Sequence, residues 1–372
     1  MQMGKIRILV VDDAVVVRRL LTDMLSSDPA LEVAGAAANG RIALARIPLL
    51  NPDVVVLDVE MPEMDGLETL AEIRKTYKRL PVIMFSTLTR RGAAATLDAL
   101  ALGASDYVTK PSNLGAGGQG IEQTARELVE KIKLFCLGCA PPAAAIRPVR
   151  TSEAAHSATT FHLPQPRPAE VVAMGVSTGG PNVLAELMPF FPADLAVPML
   201  IVQHMPPIFT KLLAERLAAK ARIPIEEARP GQVLEPGTAW LAPGDFHMVI
   251  EGAGAEVRIR TNKEPPENSC RPAVDTLFRS VAAVYGPATL AVVMTGMGQD
   301  GLRGCETIRS VGGQVIVQDE ASSVVWGMPG FVARAGLADR IVPLPQLGPE
   351  ILRRIRKQPA SRAASEFATR QI

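Results

Sequence analysis

Short apolar runs recur along this chain at the spacing of strands that alternate with helices. Over residues 6–136 the runs are Ile6–Val11, Val33–Ala37, Val54–Leu57, Val82–Phe85 and Tyr107–Val108, with helical spacing between them at Val16–Leu25 and Leu67–Tyr77. Alternation of this kind predicts a parallel sheet with helices on both faces. Five such units make a flavodoxin-like, doubly wound domain. The pattern resumes over residues 169–348, with strands at Val171–Val176, Met199–Val202, Leu290–Met294 and Val315–Val317. Helices are expected there at Pro181–Met188, Phe209–Lys220, Arg271–Tyr285 and Gly301–Val311. The middle, Val233–Arg260, reads differently: Pro236-Gly237 and Gly252–Gly254 are turn signals and predict hairpins. The expected class is α/β, with two doubly wound parallel-sheet domains, the second Rossmann-like and carrying an antiparallel hairpin insertion.

Residues 138–168 separate the two units. Pro141-Pro142, Pro148, Pro164, Pro166 and Pro168 sit there among Ala, Ser, Thr and Arg, a composition that buries little apolar surface and reads as a linker. A helix over Ile121–Leu137 leads into it. The expected division is 4–137, 138–168, 169–348 and 349–372, the last a short basic helix (Ile351–Lys357) and a polar tail. The formal net charge of +1 provides no field to draw nucleic acid or an anionic membrane. No apolar run is long enough to span a bilayer, and the N-terminus leads into a strand without a signal-peptide layout. A cytoplasmic monomer is the expectation. Of the four cysteines, Cys136 and Cys139 form Cys-x-x-Cys. No second Cys or His pair lies near it, so two reduced thiols at a helix end are favoured over zinc.

Ligands of a parallel sheet bind beyond the carboxyl ends of its strands. In the first unit those ends carry Asp12, Asp13, Asp58, Ser86 and Lys110. Clustered carboxylates repel unless a hard cation sits among them, and Mg²⁺ takes such oxygens. With Mg²⁺ held by Asp12, Asp13 and Asp58, the free oxygen of Asp58 can attack a phosphoryl group. Lys110 offers positive charge to the phosphoryl oxygens and Ser86 a hydrogen bond. Helix capping explains any one of these acids, but not the combination.

The second unit carries Gly175-Val176-Ser177-Thr178-Gly179-Gly180 between a strand and a helix. Gly-x-Ser-x-Gly at such a turn exposes a serine hydroxyl beside helix-terminal N–H groups. The same turn also binds nucleotides or merely turns. His204 ends the neighbouring strand, and Asp300 follows the strand Leu290–Met294 through a glycine-rich loop, where it is also placed to cap the next helix. His156 and His162 fall in the linker and His247 in the hairpin region. Ser177 as nucleophile, His204 as base and Asp300 as its orienting carboxylate form a hydrolytic triad. Backbone N–H groups must then hold the oxyanion, each worth about 3 kcal/mol. The order Ser, His, Asp is not that of α/β-hydrolases.

Two resemblances follow. Asp12-Asp13, Asp58, Met61-Pro62-x-Met64-Asp65-Gly66, Ser86 and Lys110-Pro111 resemble the receiver domain of two-component response regulators. Ser177-Thr178-Gly179-Gly180-Pro181, Gln203-His204-Met205-Pro206, Leu241-Ala242-Pro243-Gly244, Arg271-Pro272-x-x-Asp275 and Thr295-Gly296-Met297-Gly298-x-Asp300-Gly301 resemble the chemotaxis-receptor methylesterase family, CheB. The resemblance implies that Asp58 is the phospho-acceptor, fed by a histidine kinase, with Tyr107 at the switch aromatic position. It implies hydrolysis of glutamate γ-methyl esters on methyl-accepting chemoreceptors, and deamidation of receptor glutamines. It implies that Thr178 supports the histidine, that the Met297 N–H serves the oxyanion hole, and that the esterase chemistry needs no cofactor. Arg271 and Asp275, which start the helix before the Asp300 strand, either take a supporting or substrate-facing place or cap that helix. A response regulator with a non-catalytic binding output and a hydrolase of another methyl ester remain the alternatives at this point.

Overall fold

The computed structural model describes residues 4–111, 119–137 and 167–355. The expected linker 138–168, apart from its last two residues, lies outside them, as do Cys139, His156, His162 and the tail beyond Ile355.

The first unit holds β1 (Ile6–Val11), α1 (Val15–Ser26), β2 (Leu31–Ala37), α2 (Gly40–Leu50), β3 (Val54–Asp58), α3 (Gly66–Thr76), β4 (Val82–Ser86), α4 (Arg90–Ala101), β5 (Asp106–Thr109) and α5 (Gln119–Leu137). Its five strands are parallel in the order β2-β1-β3-β4-β5. Every residue of β3 and β4 is buried, which is why these central strands read as unbroken apolar runs. Val17, Leu21 and Leu25 form the buried stripe of α1 at helical spacing. Asp65 and Glu68 close a capping box at the start of α3. Gly66 follows because a Cβ there would lie 2.2 Å from the Asp58 carbonyl oxygen, so α3 can start tight against the end of β3.

The second unit begins with β6 (Val171–Val176), α6 (Gly180–Leu187), β7 (Met199–Gln203), α7 (Phe209–Ala218), β8 (Ile225–Glu227) and β9 (Ala239–Leu241). The hairpin β10 (His247–Glu251) and β11 (Arg258–Asn262) follows, then α8 (Val274–Tyr285), β12 (Thr289–Val293), α9 (Leu302–Ser310), β13 (Gln314–Gln318), α10 (Met328–Arg334), β14 (Arg340–Val342) and α11 (Leu344–Arg354). Seven parallel strands run β14-β13-β12-β6-β7-β9-β8. The antiparallel insertion is narrower than Val233–Arg260. The turn at Pro236-Gly237 delivers Ala239–Leu241, all three buried, into the main sheet parallel to β7. Among the strands described, β10 and β11 alone pair antiparallel, turning at Gly252–Gly254, and Val233 adds one isolated antiparallel bridge to Arg258. The last helix starts at Leu344, ahead of Ile351, because Leu344, Leu347 and Ile351 form its buried stripe.

The two units pack through α4 and β5 of the first against α6 and α7 of the second. Leu97 and Tyr107 join one apolar cluster with Phe209 and Leu213. The rings of Tyr107 and Phe209 stack at 4.9 Å, 8° from parallel. Polar contacts fix the register: Asn182 Nδ2 donates to Leu100 O at 2.9 Å, Arg216 to Ala94 O at 2.7 Å, and Arg216 pairs with Asp98 at 2.8 Å. Beside them lies a cavity of about 310 Å³ lined in part by Arg79, Phe135, Pro181 and Val324.

Candidate phosphorylation site and active site

The acidic cluster forms where β1, β3 and β5 end. Carboxylate oxygens of Asp12, Asp13 and Asp58 lie within 4.8 Å of one another, with Asp12 and Asp58 buried and Asp13 exposed. Lys110 reaches back over them, its Nζ 2.8 Å from both Asp12 and Asp58. Asp58 is pushed up to about 6, chiefly by burial and further by the Asp12 charge, against the pull of Lys110 and one backbone N–H. An all-oxygen set with more negative charge than Lys110 can answer suits a hard divalent cation such as Mg²⁺. Ser86 is fully buried, and among the described residues its hydroxyl is held only by a long 3.4 Å contact to Thr87 O.

The second site forms where β6, β7 and β12 end. Val176 pairs with Gln203, so Ser177 and His204 leave adjacent strands side by side. Gln203 Nε2 donates to Ser177 O at 3.0 Å, and His204 N to Val176 O at 3.3 Å. Gly179 turns the chain into α6 with φ of 79°, where a Cβ would also strike Val324 at 2.6 Å. Gly296 lies so close that its Cβ would sit 2.8 Å from Ser177 Cβ. The Met297 N–H next to it meets no acceptor among the described residues.

His204 Nε2 is 2.8 Å from Asp300 Oδ2. Asp300 also accepts from Val274 N at 2.7 Å and from Asp275 N, Gly301 N and Asn268 Nδ2, each at 3.0 Å. Thus Asp300 caps α8 as well as opening the turn into α9. Burial raises its pKa, but the imidazole and these N–H groups outweigh burial and hold it below the ordinary value. Cys270 Sγ lies 3.5 Å from His204 Nδ1. Burial disfavours the imidazolium, yet the Cys270 sulfur and Asp300 outweigh it and push His204 up to about 10. Ser177 Oγ makes no hydrogen bond among the described residues.

Thr178 does not turn to His204. Its hydroxyl donates to Asp106 Oδ2 across the unit boundary at 3.0 Å, and Asp106 in turn pairs with the buried Lys131 at 3.2 Å. Arg271 grips Asp245 at 2.5 and 3.1 Å. Asp275 is buried under α9, accepting from Gly304 N at 2.7 Å. His247 is buried in β10 between Pro265 O and Ala273 N, a core histidine. The Cys136 thiol packs on Asp53 O. Asn268, Cys270 and Asp106 touch the site without lying in any motif. Their only mark in the sequence is position: two precede Arg271-Pro272, and one opens the strand that carries Tyr107.

The CheB methylesterase family profile matches residues 172–351, and the response regulator receiver domain profile matches residues 8–119. A protein of Trichodesmium erythraeum, named protein-glutamate methylesterase/protein-glutamine glutaminase, is 56% identical over 95% of this chain and all of that one. The chain belongs to the CheB family. A Nocardioides CheB relative of the same name is 50% identical over 96% of this chain and 97% of its own length. The crystal structure of the Thermotoga maritima CheB methylesterase catalytic domain is 38% identical and covers 50% of this chain and 98% of that one, with a TM-score of 0.49. In this CheB-family chain, no helix among the described residues is long and apolar enough to cross a membrane.

Proposed function

We propose that this chain is a phosphorylation-gated protein-glutamate methylesterase that also deamidates glutamines, acting on chemoreceptors and driven by a histidine kinase. The observation that carries the esterase reading is the Asp300–His204 pair at the strand edge where Ser177 emerges. A non-catalytic output has no use for a buried carboxylate wired to an imidazole beside a serine turn.

With Nε2 held by Asp300, Nδ1 is the nitrogen left to take the Ser177 proton. Ser177 Oγ then bonds to the ester carbonyl carbon, and the oxyanion draws on the Met297 N–H. His204 returns the proton to the departing methoxide, which leaves as methanol. Water repeats the sequence: His204 takes its proton, the hydroxide attacks the acyl carbon, and Ser177 leaves reprotonated with glutamate as the product. A glutamine side chain follows the same route with ammonia leaving.

Asp58 serves as phospho-acceptor, with Asp12, Asp13 and Asp58 holding Mg²⁺. When bound, Mg²⁺ neutralises charge between the carboxylates and the incoming phosphoryl group. Lys110 answers the transferred phosphoryl oxygens, and Ser86 donates to them. β5 then joins the two sites: Lys110 follows its far end, while Asp106 opens it on Thr178 and Tyr107 stacks on Phe209. A shift of β5 loosens the interface and returns the Thr178 hydroxyl to the imidazole. Residues 4–137 act as the receiver and 169–348 as the catalytic unit, with α11 kept whole to Arg354; 138–168 is the linker and the rest of 349–372 a tail. The setting is cytoplasmic.

The test is methanol release from methyl-labelled receptor membranes, comparing wild type and Ser177→Ala with and without acetyl phosphate and Mg²⁺. Release that needs Ser177 and rises with the phosphodonor supports both halves. Release without stimulation rejects the gating, and no release rejects the esterase.

A further inference from the structure

The turn at residues 267–270 touches both members of the Asp300–His204 pair. Glu267 and Cys270 close it with two backbone hydrogen bonds, of 3.1 and 2.9 Å. Asn268 and Ser269 inside it have φ of 52° and 63°, a left-handed conformation that non-glycine residues keep only when the surroundings demand it. Those surroundings are on α8: Arg279 grips the Glu267 carboxylate at 2.8 and 2.5 Å, and Thr276 donates to it at 3.1 Å. From this anchored frame Asn268 Nδ2 donates to Asp300 Oδ1 and Asp275 Oδ2, each at 3.0 Å. Two residues on, Cys270 Sγ faces His204 Nδ1.

We propose that the 267–270 turn is a positioning element of the esterase site: Asn268 fixes Asp300, and Cys270 holds the His204 nitrogen that Ser177 must reach. This rests on the roles given above to Ser177, His204 and Asp300. Asn268 and His204 are the two side chains that donate to Asp300 among the described residues. Without the amide, more of the Asp300 charge falls on the imidazole, and the carboxylate loses one of the contacts that aim it. Cys270 acts on the other face of the ring. The Cys270 sulfur accepts from the Nδ1–H of the charged ring, keeps the imidazole in register in the resting enzyme, and yields Nδ1 to the Ser177 hydroxyl once the ring is neutral. The charged groups around the pair include Asp275 on α8 and Glu267 in the turn, the latter answered by Arg279.

The two residues therefore shift the base in opposite directions. Cys270→Ala is expected to move the titration of the imidazole, and the acid limb of kcat, to lower pH, with Cys270→Ser in between. Asn268→Ala and the near-isosteric Asn268→Asp move both to higher pH and lower kcat about ten- to hundredfold with KM little changed, the effect of one lost hydrogen bond to a buried charge. Nitrogen NMR of the full chain follows His204 without substrate, its signal assigned by loss in His204→Ala. A His204 titration unmoved in both Cys270→Ala and Asn268→Asp overturns the proposal. So does an unchanged kcat in both Asn268 variants. Opposed shifts in a protein that releases no methanol still support the turn's hold on the ring, while the esterase reading falls.

Discussion

Asp58 closes a central strand and Asp300 ends the loop that follows another, and each is 2% exposed, yet their acidities move in opposite directions. Asp58 has one shared lysine and one long 3.4 Å backbone contact, with Asp12 beside it. Asp300 has the imidazole, three backbone N–H groups and the Asn268 amide; of the carboxylates near it, Asp275 shares that amide and Glu267 is answered by Arg279. Burial alone therefore does not set the charge of a carboxylate; the donors brought to it do. On the function proposed above, a site short of donors receives charge from outside, as a cation and then a phosphoryl group. A site already supplied with donors is built to hold one ionised group still while a proton moves elsewhere.

The sharpest way to break the comparison is through catalysis. Ser177→Ala or Asp300→Asn is expected to cut kcat for methanol release by about 10⁴-fold. Asp58→Asn is expected to erase the response to acetyl phosphate. If Asp300→Asn kept most of its activity, its supply of donors would have no catalytic meaning.

Stability tests the same contrast without substrate. Burial pushes the folded Asp58 carboxyl up to about 6 from an ordinary 3.8, a difference worth on the order of 3 kcal/mol. A raised pKa contributes stability below the unfolded value and loses it as pH rises through the folded value, so ionised Asp58 weakens the receiver at neutral pH. Asp58→Asn should raise the receiver's melting temperature at about pH 7, and the gain should fade as pH falls from about 6 to about 4. Asp300 is the reverse case. Its lowered pKa contributes stability above the ordinary carboxylate range, lost only as pH falls through the lowered value. Asp300→Asn should lower the melting temperature of the catalytic unit at about pH 7 and still do so at about pH 5. Calorimetry across that range checks both signs, and matching signs would end the contrast.

Much of this was legible in the sequence because both sites hang beyond strand ends, and runs such as Val54–Leu57 and Val171–Val176 carry no charged residue from end to end. Ser177, His204 and Asp300 each follow such a run, as do Asp12, Asp58 and Ser86. The sheet order near β9 was not legible, because three buried residues after Pro236-Gly237 carry no sign of which strand they will join. Asn268 and Cys270 were hidden for another reason. They reach the site from a turn held by Glu267 and Arg279, a contact between side chains twelve positions apart with no apolar period to announce it. Thr178 was assigned by resemblance to the histidine, but its partner Asp106 lies in the other unit, and no local pattern links positions 106 and 178.

That contact gives the smallest predicted effects and the finest test of how the two sites communicate. Asp106→Asn keeps the shape of the side chain but weakens its hold on the Thr178 hydroxyl, while Lys131 retains Glu127 and Tyr107 O. The unphosphorylated esterase rate should rise about three- to tenfold, the worth of one charge-assisted hydrogen bond. Arg216→Ala removes a partly exposed pair with Asp98 and one bond to Ala94 O, and should raise the resting rate about twofold. Neither change should raise the rate reached with acetyl phosphate, because in that state the interface is already loosened. A larger effect from Arg216 than from Asp106 would place the restraint in the α4–α7 contact and not at Thr178. Equal gains in the resting and stimulated rates would mean that Asp106 acts on Ser177 chemistry directly, and the gate would have to be sought elsewhere along β5.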